Sequence, residues 1–174
     1  MSAPPAVVIR EALVDEWPAV GDLTHAAYAA LFGRDDLGWY GEELRDVAGR
    51  AGRSRIVVAE QAGALVGAVS YLDDYGADPA MVDLAVAGTP GFRVLAVPPE
   101  ARGLGVGRLL TEWCIDRARA AGAVSLVIHT TDYMDVAQAM YRRMGFERDE
   151  QLDFHIEWPP VHVKGYRLAL VTGA

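Results

Sequence analysis

The chain has 174 residues, of which 52% are hydrophobic and 23% charged, and its formal net charge is -8. This composition excludes a disordered or low-complexity polymer and leaves enough chain for a sizeable core. The acidic balance lacks the basic footprint of general nucleic-acid binding, no apolar run reaches membrane-spanning length, and a single cysteine, Cys114, excludes an internal disulfide framework.

The first residues, MSAPPAVVIREA, hold no basic region followed by an apolar stretch, so a cytoplasmic protein is expected. Ala6 to Arg10 reads as the first strand. Asp15 to Phe32 reads as a helix, with Leu23, Ala26, Ala27 and Ala30 on one stripe and Gly33 as its stop. Tyr40 to Ala51 carries Leu44 and Val47 at helical spacing and ends at Gly52. Ile56 to Leu72 reads as two strands around a tight turn near Ala62-Gly63. Asp73 to Gly91 reads as a polar loop with a strand extension near its middle. Phe92 to Val97 is an almost continuous apolar strand, as a buried central position demands, and Pro98-Pro99 ends it.

The next helix places Val106, Leu109, Leu110, Trp113 and Cys114 on one face and Arg108, Glu112, Asp116 and Arg119 on the other, stopping at Gly122. Val124 to His129 is a further strand. Asp135 to Met144 is a second helix closed by Gly145, and Phe146 opens another strand. Leu152 to Glu157 and Lys164 to Val171 pair as a final hairpin across Trp158-Pro159-Pro160. With no repeat or linker, residues 1–174 read as a single domain, α/β or α+β, built on a mixed sheet.

The most telling stretch is RGLGVG, Arg102 to Gly107, between the apolar strand and the amphipathic helix. The first amides of a helix lack internal partners and the helix dipole is positive there, so a glycine-rich turn at that point is a receptor for phosphate. A P-loop needs Gly-Lys-Ser/Thr, whereas Arg108-Leu109 follows Gly107. The dinucleotide fingerprint needs a wider third spacing and an earlier place in the chain. Close packing of helix on strand is the other reading of three alternating glycines, at a cost in backbone entropy. Charge supports the phosphate side: residues 1–87 hold 6 basic and 14 acidic side chains, residues 88–174 hold 10 of each. The acidic half would attract a cation, although a solvated charged surface is its plainer meaning.

Arg102, Gly105 and Gly107 fit an Arg/Gln-x-x-Gly-x-Gly/Ala signature, and on these residues the chain resembles the GNAT superfamily of acyl-CoA-dependent N-acetyltransferases. LAVPPEARGLGVGRLL, Leu95 to Leu110, is similar to the family's central strand, loop and pyrophosphate helix. AQAMYRRMGFE, Ala137 to Glu147, is similar to its Ala-x-x-x-Tyr-x-x-x-Gly-Phe segment, and IVVAEQAGALVGAVSYL to the preceding strand pair. The resemblance covers nearly the whole chain. It implies a mixed, mostly antiparallel sheet flanked by helices, with splayed central strands.

The resemblance also implies a chemistry: transfer of an acetyl group from acetyl-CoA, as co-substrate, to a primary amine by direct attack. The backbone of Arg102, Gly103, Leu104, Gly105, Val106, Gly107 and Arg108 would grip the pyrophosphate, an anion nest in physical terms. Leu95, Ala96 and Val97 would meet the pantetheine arm, the Val97 amide donating to the thioester oxygen. Tyr141 would protonate the departing thiolate, its phenol matching a thiol in acidity; a core aromatic is the other reading. Met134 stands where many relatives carry asparagine and would pack against the arm. A non-catalytic acyl-CoA-binding regulatory module is the alternative, and it leaves Tyr141 without a task.

Asp83, Asp132, Asp153 and His129 are the candidates for general base. His25, His155 and His162 lack metal-ligand spacing, so no metal is expected. Cys114 reads as a buried structural thiol. The acceptor, a small molecule or peptide amine, would meet Trp39 and Tyr40, the Asp73–Gly91 loop and Asp153–His162. Asp73, Asp74, Asp78 and Asp83 would suit a cationic amine, although a solvated loop is their plainer reading, and Arg93 either faces that site or pairs with one of these acids. No nucleic acid or membrane partner is expected, and dimers are common among similar proteins.

Overall fold

The structure, a computed structural model, describes residues 5–81, 84, 86–157 and 160–170; Asp83, Trp158, Pro159 and Val171 lie outside the described residues. The chain packs as two compact units, residues 1–71 with 94–113 and residues 72–93 with 114–174.

The first unit holds strands β1 (Val8–Glu11), β2 (Arg55–Gln61) and β3 (Ala64–Leu72), the helices α1 (Trp17–Phe32), α2 (Gly38–Arg45) and α3 (Val47–Ala51), and parts of strand β4 (Gly91–Ala96) and helix α4 (Val106–Ala120). β1 pairs with β2 and β2 with β3, both antiparallel, in register from Val8↔Glu60 and from Arg55↔Tyr71. The β2–β3 turn is the expected one: Ala62 and Gly63 both take positive φ, 52° and 81°, the turn hand that suits strand twist. Val20, Val47, Ile56, Val58 and Ala68 form its core.

The stretch read as one helix over Tyr40–Ala51 is two. Asp46 leaves the helical region (φ −76°, ψ 67°) and its carboxylate accepts the Gly49 N–H at 2.9 Å, starting α3 afresh. The carbonyls this break exposes at the end of α2 are met by Arg50, a buried guanidinium that donates to Glu43 C=O (2.5 Å), Leu44 C=O (3.0 Å) and Ser70 Oγ (3.3 Å).

The second unit holds β5 (Ser125–Thr131), α5 (Asp135–Arg143), β6 (Glu147–Arg148), β7 (Phe154–Ile156) and β8 (Val161–Ala169). β8 pairs antiparallel with β5, β6 and β7, and β7 meets it at Val161–Val163, ahead of the Lys164 start that the sequence suggests for the hairpin's second strand, so the hairpin is tighter than expected. The start of β4 pairs parallel with β5 at Gly91↔Val127 and Phe92↔Ile128. The β1–β2, β2–β3, β5–β8, β6–β8 and β7–β8 pairings are antiparallel, so the strand pairing is mixed and mostly antiparallel, as the resemblance implies. Leu72, Tyr75, Met81, Val86, Val127 and Leu152 form the core. The acidic stretch after β3 makes two single-turn helices, Tyr75–Ala77 and Pro79–Met81, and the strand extension expected near its middle falls where residues 82, 83 and 85 lie outside the described residues. The carboxylates of Asp74 and Asp78 accept the amides of Gly76 (3.0 Å) and Ala80 (2.9 Å), local bonds that start these two turns.

One close approach positions the glycine loop. A Cβ on Gly67 of β3 would lie 2.6 Å from Val106 Cγ1, 3.1 Å from Leu110 Cδ1 and 3.2 Å from the Ala96 carbonyl oxygen. β3 thus seats the first turn of α4. Gly67→Val is expected to push that turn outward and to cost about 1–3 kcal/mol, read by urea unfolding.

Candidate active site

The loop between β4 and α4 is held at both ends and open in the middle. Ala101 (2% exposed) and Val106 (1%) anchor it, whereas Leu104 is 51% exposed and Arg102 and Arg108 face solvent. Gly103 and Gly105 both adopt positive φ, 79° and 75°, a conformation that favours glycine, and nothing lies within 4 Å of where their Cβ atoms would be. The first α4 amide bonded back along the chain is that of Leu109, to Gly105 C=O at 3.0 Å. The amides of residues 103–108 therefore have no backbone carbonyl partner among the described residues. This is an anion nest capped by the positive end of a 15-residue helix. Arg108 also pairs with Glu112 at 2.8 Å, an exposed i,i+4 contact of little energetic weight.

β4 carries a feature that its sequence conceals. Val94 has φ 56°, a left-handed backbone for a β-branched residue. Such a conformation costs about 1–3 kcal/mol and concentrates at functional sites. It stands immediately before Leu95, Ala96 and Val97. Nothing in the run FRVLAV signals it, because valine is an ordinary strand residue.

In the second unit, Tyr141 on α5 is 5% exposed and lies between Phe92 (ring centroids 5.9 Å apart) and Phe146 (5.5 Å). No hydrogen bond engages its hydroxyl among the described residues. Burial pushes its phenol above the ordinary value of 10, with the nearby Cys114 and Tyr75 adding to the shift. The same desolvation raises the Cys114 thiol. Cys114 is fully buried, as its place on the apolar stripe predicts. Met134, at the start of α5, is partly buried.

The candidate bases fare differently. Asp153 accepts both arms of Arg148 (2.9 and 2.8 Å), His162 Nε2–H (2.8 Å) and the Gly165 N–H (2.8 Å). The Arg148 guanidinium, chief among these, holds its carboxyl well below the usual carboxylate range. Asp132 pairs with Lys164 and is likewise lowered. A carboxylate so held is a poor proton acceptor. His129 has both ring nitrogens engaged, Nε2 with Leu152 C=O (2.7 Å) and Nδ1 with Tyr75 Oη (3.1 Å). Asp83 lies outside the described residues.

The acidic loop is also less available than its composition suggests. Asp74 accepts the amides of Gly76 and Gly88 (2.8 Å), Asp73 faces Arg117 at 3.8 Å, and Asp78 pairs with Arg93 at 2.5 Å. Arg93 thus pairs with one of the acids, the second of its two sequence readings. Trp39 is 60% exposed and packs edge-on against Tyr40. His155 and His162 stack at 4.5 Å. Among the described residues, no cluster of His, Cys, Asp and Glu is arranged to hold a metal ion, and no helix is long and apolar enough to cross a membrane.

Comparison with known proteins gives this geometry a family context. The model of the acetyltransferase (GNAT) family matches residues 9–146. Among named relatives, IAA acetyltransferase of Azospirillum brasilense is 34% identical over 92 residues, 53% of this chain and 54% of that protein. Mycothiol acetyltransferase of Cellulomonas flavigena is 34% identical over 97 residues, 53% of this chain but 26% of that protein. The match thus spans about half of the first relative and a quarter of the second. The ribosomal-protein-S18-alanine N-acetyltransferase of Escherichia coli shares the fold with TM-score 0.71 at 17% identity, each chain 97% covered. yncA of Salmonella typhimurium, solved with its cofactor acetyl-CoA, aligns with TM-score 0.68 at 18% identity, over 97% of this chain and 96% of that one.

Proposed function

The chain belongs to the acetyltransferase (GNAT) family, and on that premise we propose that it moves an acetyl group from acetyl-CoA to a primary amine by direct attack. The observation that carries this reading is the amide cradle over residues 103–108, with two left-handed glycines opening onto the start of α4. A pyrophosphate supplies the acceptor oxygens that such a cradle lacks. The residues present fit the ligand: the glycines leave room for close backbone approach, and Arg102 and Arg108 bracket the loop with exposed cations.

The remaining assignments follow from the reading. The backbone of Leu95, Ala96 and Val97 meets the pantetheine arm, with Met134 packed against it, and the Val97 N–H donates to the thioester oxygen. The amine nitrogen bonds to the carbonyl carbon, the C–S bond breaks, and the Tyr141 phenol gives its proton to sulfur. The proton released from the amine returns through solvent to the phenolate. A buried Cys114 with a raised pKa supports direct transfer over an acyl-enzyme. With Asp74 and Asp78 bound to backbone amides and Arg93, the support for a strongly cationic acceptor is weaker than the sequence suggested.

Thermal unfolding tests the donor. At a hundred times its Kd, acetyl-CoA should stabilise the protein by about 2.7 kcal/mol, whereas NAD and ATP should not. Gly105→Val, which puts a β-branched side chain at φ 75°, should abolish that shift. A wild-type protein indifferent to acetyl-CoA overturns the reading. Thiol release across polyamines, aminoglycosides, amino acids and peptide N-termini then identifies the acceptor.

A further inference from the structure

Two of the nine residues of α5 are buried, Gln138 and Tyr141. A helix this short seats on a sheet through apolar side chains, so an amide at one of its two buried positions needs a reason. Gln138 is 4% exposed and its amide is engaged at both ends. Nε2 donates to Thr131 C=O (2.8 Å) at the end of β5. Oε1 accepts the Tyr166 O–H of β8 (3.0 Å) and a hydrogen of Arg142 Nη2 (3.3 Å), and Arg142 also donates to Tyr166 Oη (3.2 Å). A backbone carbonyl can only accept and a guanidinium can only donate, so these partners fix which end of the amide is which. Sheet register relates this anchor to Tyr141. Phe92 pairs with Ile128 across β4 and β5, and Ile128 with Tyr166 across β5 and β8. Residues opposite one another share a face, so Phe92, Ile128 and Tyr166 form one buried row. Tyr141 meets the Phe92 end of the row by ring contact, and Gln138, one turn earlier in α5, meets the Tyr166 end by its hydrogen bond. Strand spacing sets these ends about 10 Å apart.

We propose that Gln138 is a positioning residue for the Tyr141 phenol: by tying α5 to Thr131 and Tyr166 it sets the rotation of the helix and so where the proton donor points. The proposal rests on the reading of Tyr141 as the acid, and every residue it joins belongs to the second unit. The Tyr141 hydroxyl has no hydrogen bond of its own among the described residues, so ring packing and helix placement are what aim it. Ring contacts with Phe92 and Phe146 tolerate sliding, whereas a hydrogen-bonded amide is directional. Leucine would bury as well at position 138 and would leave the rotation of α5 to packing alone.

Two variants test this in the full chain. Gln138→Leu keeps burial and helix propensity and removes the directional bonds. It strands neither partner, because Thr131 C=O still accepts the Met134 N–H (3.0 Å) and Tyr166 Oη still accepts from Arg142. Tyr166→Phe leaves the sequence of α5 untouched, deletes the donor to Oε1 and keeps the ring beneath Arg148, so it carries the same test if Gln138→Leu does not fold. With any amine that the wild type acetylates, and acetyl-CoA saturating, Gln138→Leu should lower kcat about tenfold and Tyr166→Phe about threefold, losses in the range that a sub-ångström misplacement produces. In a Tyr141→Phe background neither change should lower kcat further, because the group they position is gone. A purely structural brace would instead lower kcat by the same factor in both backgrounds. That additive result, or a kcat unchanged in both variants, overturns the proposal. If Tyr141→Phe alone leaves kcat unchanged, the acid reading beneath it falls and the proposal falls with it.

Discussion

Tyr141→Phe is expected to lower kcat by about 100- to 1,000-fold with any amine the wild type acetylates, the usual worth of a positioned general acid. The KM for acetyl-CoA and the thermal midpoint should hardly move. The ring is what packs: Phe92 and Phe146 touch it from two sides, and phenylalanine keeps both contacts. The hydroxyl bonds to no other described residue, so its loss leaves no buried group unsatisfied within the fold. The effect should therefore fall on chemistry alone, and steady-state thiol release beside a melting curve separates the two. A raised phenol pKa keeps the group protonated across the working range, so the acid role predicts no alkaline loss of activity from Tyr141 near neutral pH. Unchanged kcat in the variant would return Tyr141 to the role of a core aromatic.

What could be read from the sequence was the part governed by local rules. The alternating glycines of 103–107 announced an open turn ahead of α4, Gly33 and Gly122 announced helix ends, and Ala62-Gly63 announced a hairpin, because each depends on a few neighbouring torsions. The apolar stripe of α4 placed Val106, Leu110 and Cys114 inside, as it should. The features that escaped depend on distant partners. Val94 is bent left-handed in a run that reads as plain strand. The break at Asp46 needed its carboxylate to prefer the Gly49 amide over continued helix. Asp73, Asp74 and Asp78 looked like part of a cation site and proved to be occupied by Arg117, backbone amides and Arg93. His129 and Asp153 looked like bases, and only the fold shows what holds them.

Asp153→Asn should be the most damaging single change outside the proposed reaction, at about 2–3 kcal/mol, or roughly 5–10 °C in Tm. Asp153 is 15% exposed and fills a gap at the edge of β8, between the register positions where β7 pairs (Val161 to Val163) and where β6 pairs (Tyr166 and Arg167). Its two oxygens satisfy the fork of Arg148, His162 and the Gly165 amide, and Arg148 in turn donates to Gly165 C=O (2.5 Å) and lies over the Tyr166 ring. An asparagine offers one acceptor oxygen and no charge, leaving the Arg148 cation half-buried without its counterion. The pH dependence separates this from simple misfit. Because the folded state holds Asp153 below its ordinary 3.8, its contribution is fully present above that value and is lost as the pH falls through the lower folded-state pKa. Wild-type stability should accordingly slope downward on the acid side of about pH 4, and the variant should lose part of that slope while being weaker at neutral pH. Urea unfolding at pH 7 and pH 3 reads both effects, and an acid slope identical in the two proteins would show that this cluster does not brace the edge of β8 through the charge of Asp153.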